Sequence, residues 1–115
     1  MKDYYGKIQY RGNEYILVFN LNVMELLQNE YQTVEKWAEL TDGANGEVNA
    51  KAVIFGFTAM LNEGIDIEND ENGTNKPFLT LKQVGRMITE IGLKEATQQL
   101  NDTVVQSTQS AEKNA

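Results

Sequence analysis

The first twenty residues alternate between apolar and polar positions, which is the pattern typical of a β-strand with one buried face. Placing a two-residue turn at Gly12-Asn13 predicts an antiparallel hairpin over residues 4–20. In that register Tyr10 faces Tyr15 and Ile8 faces Leu17, and these residues form an apolar face with Phe19. Because a slip of one residue would mix the two faces, the pattern specifies which side chains are buried.

Helical spacing of apolar residues replaces the alternation after residue 20 and predicts four or five helices. Asn22 and Glu25 have the spacing of a capping box, so the first helix is expected to begin at Val23. A break near Gln32 lets Thr33 cap a second, short helix over residues 34–40. The remaining predicted helices are residues 50–63 with Asn49 as N-cap and Gly64 beyond the end, residues 81–91 between a Thr80–Gln83 capping box and Gly92, and a last helix from Leu93.

Polar segments rich in Gly, Asn and Asp predict loops at residues 41–47 and 65–77. From about Ser107 the chain has nothing to bury, so residues 107–115 are expected to form a disordered polar tail. A chain of 115 residues suffices for one domain with one modest core, here residues 1–106. The predicted fold class is therefore α+β and mainly helical, with an N-terminal antiparallel hairpin packed on four to five α-helices.

The composition narrows the functional classes, because the chain contains neither His nor Cys. A nucleophilic triad and a disulfide framework are thereby excluded, and an enzyme is not expected. The net charge of −7 opposes binding to nucleic acid, which requires a clustered basic surface. The longest apolar run, residues 52–61, is too short to span a bilayer, and Met1 is not followed by a signal peptide. We therefore expect a cytosolic protein without membrane or nucleic-acid partners.

The acidic segment from Glu68 to Gly73 resembles the beginning of a calcium-binding EF-hand loop. The first position of such a loop is normally Asp, and the twelfth must be a bidentate Glu. Here the first position is Glu68, Lys76 occupies the ninth and Leu79 the twelfth. We therefore predict no metal site and no cofactor.

Two apolar strips remain as candidate partner-binding surfaces. Ile16 and Val18 lie opposite the sorted face of the hairpin, where they either bind a partner strand or are covered by helices; the pattern favours neither alternative. The last helix carries only a thin apolar stripe. This stripe, with Leu100, Val104 and Val105, forms the second candidate surface, because Val104 and Val105 at its end have little predicted core to join.

The order of these patterns resembles that of the tail assembly chaperones of long-tailed bacteriophages, particularly those of Gram-positive hosts. The resemblance spans about residues 6–105. The matching positions are Ile8, Tyr10, Gly12, Tyr15, Leu17, Phe19 and Asn20 in the hairpin, Leu26, Leu27, Glu30 and Tyr31 in the first helix, and Pro77, Leu79, Thr80 and Val84 at a later helix start.

The resemblance implies a non-catalytic protein that binds the tape measure protein and tail tube subunits during assembly. It also implies a location in the host cytoplasm, absence from the mature virion, and a possible longer form made by ribosomal frameshifting. Two alternatives are a structural virion protein, such as a head–tail connector or tail tube component, and a small regulatory inhibitor of a host protein. Whether the chain forms a homo-oligomer stays open at this stage.

Overall fold

The structure, a computed structural model, describes residues 5–43 and 46–113. Its elements confirm the predicted class: a two-stranded antiparallel hairpin is followed by helices, which make up most of the chain. Tyr4, residues 44–45 of the predicted first loop, and residues 114–115 of the predicted tail lie outside the described residues. The elements are β1 Tyr5–Tyr10, β2 Asn13–Val18, α1 Leu21–Tyr31, α2 Val34–Thr41, α3 Ala50–Asn72, α4 Leu81–Ile91 and α5 Leu93–Lys113.

The turn of the hairpin lies one residue earlier than predicted. Arg11 and Gly12 both have positive φ, 51° and 79°, as a tight two-residue hairpin turn requires. Tyr10 therefore pairs with Asn13, and Ile8 with Tyr15, so the predicted register was wrong by two residues. A shift by an even number keeps each side chain on its face. Ile8 and Leu17 are accordingly buried in the core, as the pattern predicted.

Helix α1 begins two residues earlier than predicted, because Asn20 is its N-cap. The Asn20 Oδ1 accepts a hydrogen bond of 3.2 Å from the backbone N–H of Val23. The predicted capping box at Asn22 and Glu25 was wrong. Helix α1 ends where Gln32 takes a positive φ of 75°, and Thr33 then caps α2 as predicted.

Helix α3 is longer than predicted and includes most of the segment expected to be a loop. Asn49 caps its start as predicted, but the left-handed residue at its end is Gly73, not Gly64. A Cβ atom at Gly64 would lie 2.6 Å from the backbone oxygen of Ile16. Gly64 therefore allows β2 to approach the middle of α3, and residues 65–72 continue the helix.

Helices α4 and α5 begin as predicted. The capping box of Thr80 and Gln83 is formed, and Gly92 separates the two helices. Helix α5 continues to Lys113, so the structure places helix where a disordered tail was expected from Ser107. Extending an existing helix adds one hydrogen bond per residue and does not require buried side chains.

Helix α3 forms the centre of the fold. It packs against β2, α1, α2 and α4, while α5 packs on β1. The largest fully buried side chains are Trp37 of α2 and Phe57 of α3. The indole N–H of Trp37 donates a 2.9 Å hydrogen bond to the backbone oxygen of Ala52, which ties α2 to the first turn of α3.

Candidate protein-binding groove

An open groove runs along the outer side of α3, between α1 on one side and the start of α4 on the other. Its volume is about 290 Å³. We call it the α3 groove. Its floor consists of six α3 residues, Phe55, Thr58, Ala59, Asn62, Glu63 and Asp66, and its walls are Leu26 of α1, Phe78 of the connection to α4, and Leu81 of α4.

The floor follows one stripe of the helix surface. Its residues recur every three or four positions, which places them one above the other on a single face. From Phe55 to Asp66 this stripe rises about 16 Å, at about 1.5 Å per residue. The groove is thus about three helical turns long.

A side-chain clamp fixes the wall formed by Phe78 and Leu81. The amide of Asn62 donates a 2.9 Å hydrogen bond to the backbone oxygen of Leu79 and accepts one of 2.8 Å from its N–H. The capping box at Thr80 then starts α4 immediately beyond the clamp. Although the backbone is fixed, the side chains of Phe78 and Leu81 remain 56% and 54% exposed.

Hydrogen bonds to Glu63 fix the opposite wall. Its Oε2 atom accepts hydrogen bonds from the amides of Asn20 (2.7 Å) and Asn22 (3.0 Å), which join the start of α1 to α3. Leu26, one turn further along α1, is 45% exposed on this side. Both walls are therefore held in place by polar contacts that leave their apolar side chains uncovered.

The groove suits a partner segment that presents apolar side chains with positively charged side chains next to them. Exposed apolar side chains grouped around a concave surface are typical of binding sites. The ionisable residues in the lining, Glu63 and Asp66, are both acidic. In the part of the chain that the structure describes, neither carboxylate forms an ion pair.

The structure does not bring the residues of the two predicted partner surfaces together as exposed strips. Val18 and Leu100 are 2% and 0% exposed, so both belong to the interior and present no surface to a partner. Ile16 and Val104 are half-buried; Ile16 lies against Gly64 of α3, and Val104 packs on the core. Only Val105, at 50% exposure, matches the predicted accessibility, and its role in binding stays a prediction.

The sequence did not reveal the groove, because Leu26 and Leu81 fit the helical spacing of apolar residues that is typical of a buried helix face. Each of their helices buries only part of its apolar arc: Leu27 and Val84 are fully buried, whereas Leu26 and Leu81 are not. How much of an apolar arc a neighbouring helix covers cannot be read from the spacing of the residues. Phe78 was an available signal, because it is a large apolar residue in an otherwise polar connection.

A polar cluster on another part of the surface joins the hairpin turn to α4. Glu90 accepts hydrogen bonds from the Arg11 guanidinium at 3.0 Å and the Tyr10 hydroxyl at 2.9 Å. The Arg11 contact, followed by that from Tyr10, lowers the pKa of Glu90, and the hydrogen bond to Glu90 raises the pKa of Tyr10. The Arg11 and Glu90 side chains are exposed, whereas Tyr10 packs on the core, and the cluster holds the hairpin turn against α4.

The aromatic residues beside the groove are also packed. Tyr31 contacts Phe55 edge-on, with ring centroids 5.7 Å apart. Burial raises the pKa of Tyr31, and its hydroxyl has no hydrogen-bond partner among the described residues. Tyr31 thus supports the floor of the groove at Phe55 by ring packing.

The described residues offer neither a candidate metal site nor a candidate membrane-spanning helix. Across residues 5–43 and 46–113, no three His, Cys, Asp or Glu side chains are grouped so as to hold a metal ion. Over the same residues, none of the helices combines the length and apolar character needed to cross a membrane. Comparison of the chain with protein-family models, curated proteins and solved structures finds no match.

Proposed function

We propose that this chain is a non-catalytic phage tail assembly chaperone that binds the tape measure protein and tail tube subunits during tail formation. The α3 groove is the observation that carries the proposal, because it combines fixed walls with exposed Leu26, Phe78 and Leu81. Such a surface suits temporary coverage of an apolar segment on an unassembled partner. The sequence resemblance supplies the identity of the partners.

The residues that carry the resemblance in the hairpin have distinct structural roles. Gly12 adopts the positive φ of the turn, Leu17 is fully buried, and Asn20 caps α1. A sequence that keeps these residues would therefore keep the hairpin and its junction with the first helix. This gives the pattern a physical reason: it specifies the hairpin and its junction with α1.

The charge of the chain suits the proposed role. Because the chain has a net charge of −7, complexes that it forms with an apolar partner repel one another, which opposes their aggregation. In this proposal the protein works in the host cytoplasm and leaves the tail before the virion is complete.

The proposal is tested by isolating an affinity-tagged form of the chain from phage-producing cells and identifying bound proteins by mass spectrometry. We expect the tape measure protein and tail tube subunits to co-purify, and the chain to be absent from purified virions. Stoichiometric presence of the chain in virions would instead support a connector or tube component. Recovery of a host protein without tail proteins would support the regulatory alternative.

A further inference from the structure

We propose that the α3 groove binds an amphipathic helix of the partner protein whose apolar ridge is flanked by Lys or Arg. This inference rests on the proposed function as a binding protein and specifies the chemistry of the bound segment. The geometry that carries it is the juxtaposition of an apolar channel about three turns long with carboxylates at one end.

The shape of the groove selects a helix over an extended strand. An added strand needs a row of free backbone N–H and C=O groups, whereas the floor of the groove is the side of α3, whose backbone groups are hydrogen-bonded within the helix. A helix instead inserts side chains spaced three and four residues apart between two walls. Leu26 on one wall and Phe78 and Leu81 on the other provide the apolar contacts for such a ridge.

The charges at the groove specify the flanks of the bound helix. Glu63 and Asp66 lie in the floor, and α3 continues beyond them with Glu68, Asp70 and Glu71. The C-terminal end of a helix also carries partial negative charge, which adds to that of these side chains. Basic residues beside the apolar ridge complement this potential, while acidic residues at the same positions are repelled.

The inference is tested with two synthetic helical peptides of about 18 residues, or five turns, that share one Leu ridge. One peptide carries Lys at the flanking positions and the other carries Glu. We expect the Lys peptide to bind the full chain at least about tenfold more tightly by calorimetry, with affinity falling as salt rises. Equal affinities for the two peptides would overturn the inference.

Matched variants locate the binding site. Leu81→Glu places a charge on the wall of the groove, and Leu93→Glu makes the same change at the first position of α5, where the leucine is also about half exposed. We expect Leu81→Glu to weaken binding of the Lys peptide at least about tenfold, and Leu93→Glu to leave it unchanged. Equal effects of the two changes would place the peptide outside the groove.

A second pair of variants tests whether the Asp66 carboxylate contributes to the preference for the Lys peptide. Asp66→Asn removes a charge from the groove, whereas Asp102→Asn removes one from an exposed position on α5. Only Asp66→Asn should reduce the preference for Lys over Glu at the flanks. A reduction of the same size in both variants would reflect net charge alone and would contradict a specific contact at the groove.

Two further results separate this inference from neighbouring explanations. If the chain sediments as a dimer that Leu81→Glu dissociates, a second copy fills the groove and the inference is wrong. If tail proteins co-purify equally with Leu81→Glu and the unmodified chain, the proposed function survives but the groove is not its site. If the groove binds the Lys peptide while no tail protein co-purifies, the inference survives and the proposed function fails.

Discussion

Replacing Gly56 by Ala should destabilise the protein, although the same change in most helices is stabilising. Gly56 lies inside α3, where Ala is favoured over Gly by up to about 1 kcal/mol. A Cβ atom at this position would, however, lie 2.3 Å from Cζ2 and 2.8 Å from Nε1 of Trp37. Trp37 is fully buried among the core side chains, so displacement of its ring would disturb their packing.

The magnitude follows from the competing effects. Overpacking a core costs about 1–3 kcal/mol. Moving the indole away from the Ala52 carbonyl would leave buried polar groups unpaired, at a further cost of about 1–3 kcal/mol. After subtraction of the helix preference, we expect a net loss of about 1–5 kcal/mol in the free energy of unfolding.

The assay is urea unfolding followed by circular dichroism and by the fluorescence of Trp37, the single tryptophan of the chain. Gly85→Ala in α4 is the matched control, because a Cβ atom there meets only Ile54 Cδ1, at an ordinary 3.5 Å. We expect Gly85→Ala to stabilise the fold by up to about 1 kcal/mol. If Gly56→Ala stabilised the protein equally, the close packing of α2 on α3 described above would be refuted.

Three other substitutions test the hairpin, its tether and a helix start. Leu17→Ala should cost about 2–5 kcal/mol in urea unfolding, because Leu17 is fully buried; a loss below 1 kcal/mol would contradict its place in the core. Since Arg11 lowers the pKa of Glu90, the contact stabilises the fold above the ordinary carboxyl pKa, and this contribution is lost as the pH falls through the lowered value. Glu90→Gln should therefore weaken the dependence of stability on pH in the acidic range. An unchanged dependence, or an equal weakening by the control Glu39→Gln, would contradict this role of the contact between Arg11 and Glu90. Thr80→Ala should lower stability by about 1 kcal/mol by removing the capping box, while Thr89→Ala, inside the same helix, should not.

The hairpin shows what alternation of residues can and cannot specify. The apolar face containing Ile8 and Leu17 was predictable, because a two-residue register shift leaves it unchanged. The turn was not, because both Arg11-Gly12 and Gly12-Asn13 contain a glycine that tolerates positive φ. The contacts that join the turn to the rest of the fold, from Tyr10 and Arg11 to Glu90, link positions about eighty residues apart.

Helix α3 shows a different limit of prediction from sequence. Its start was predictable from Asn49, whose side chain accepts a hydrogen bond from the Ala52 N–H, a contact between near neighbours. Its end was not, because Gly64 matches the sequence signal for a helix C-cap but serves as a contact surface for β2. Because β2 lies more than forty residues earlier in the chain, the residues around Gly64 carry no signal of this contact.

The α3 groove was hidden from the sequence for a related reason. Spacing identifies an apolar stripe but not how much of that stripe a neighbouring helix covers. Leu26 and Leu81 could therefore be assigned to helices but not to a binding surface. Their exposure depends on how α1 and α4 are placed around α3, which is set by the contacts of Asn20, Asn22 and Asn62.

The packing of β1 on α5 has a consequence for how the protein folds as it is synthesised. The hairpin leaves the ribosome well before α5, because Thr103 of α5, whose side chain lies against Gly6, is translated nearly one hundred residues later. Until then the inner face of the hairpin, including Ile8, has no α5 to cover it, and closing such a distant contact is slow. The nascent chain therefore carries an uncovered apolar strand until α5 has been made, and the fold closes only when its first and last described elements meet.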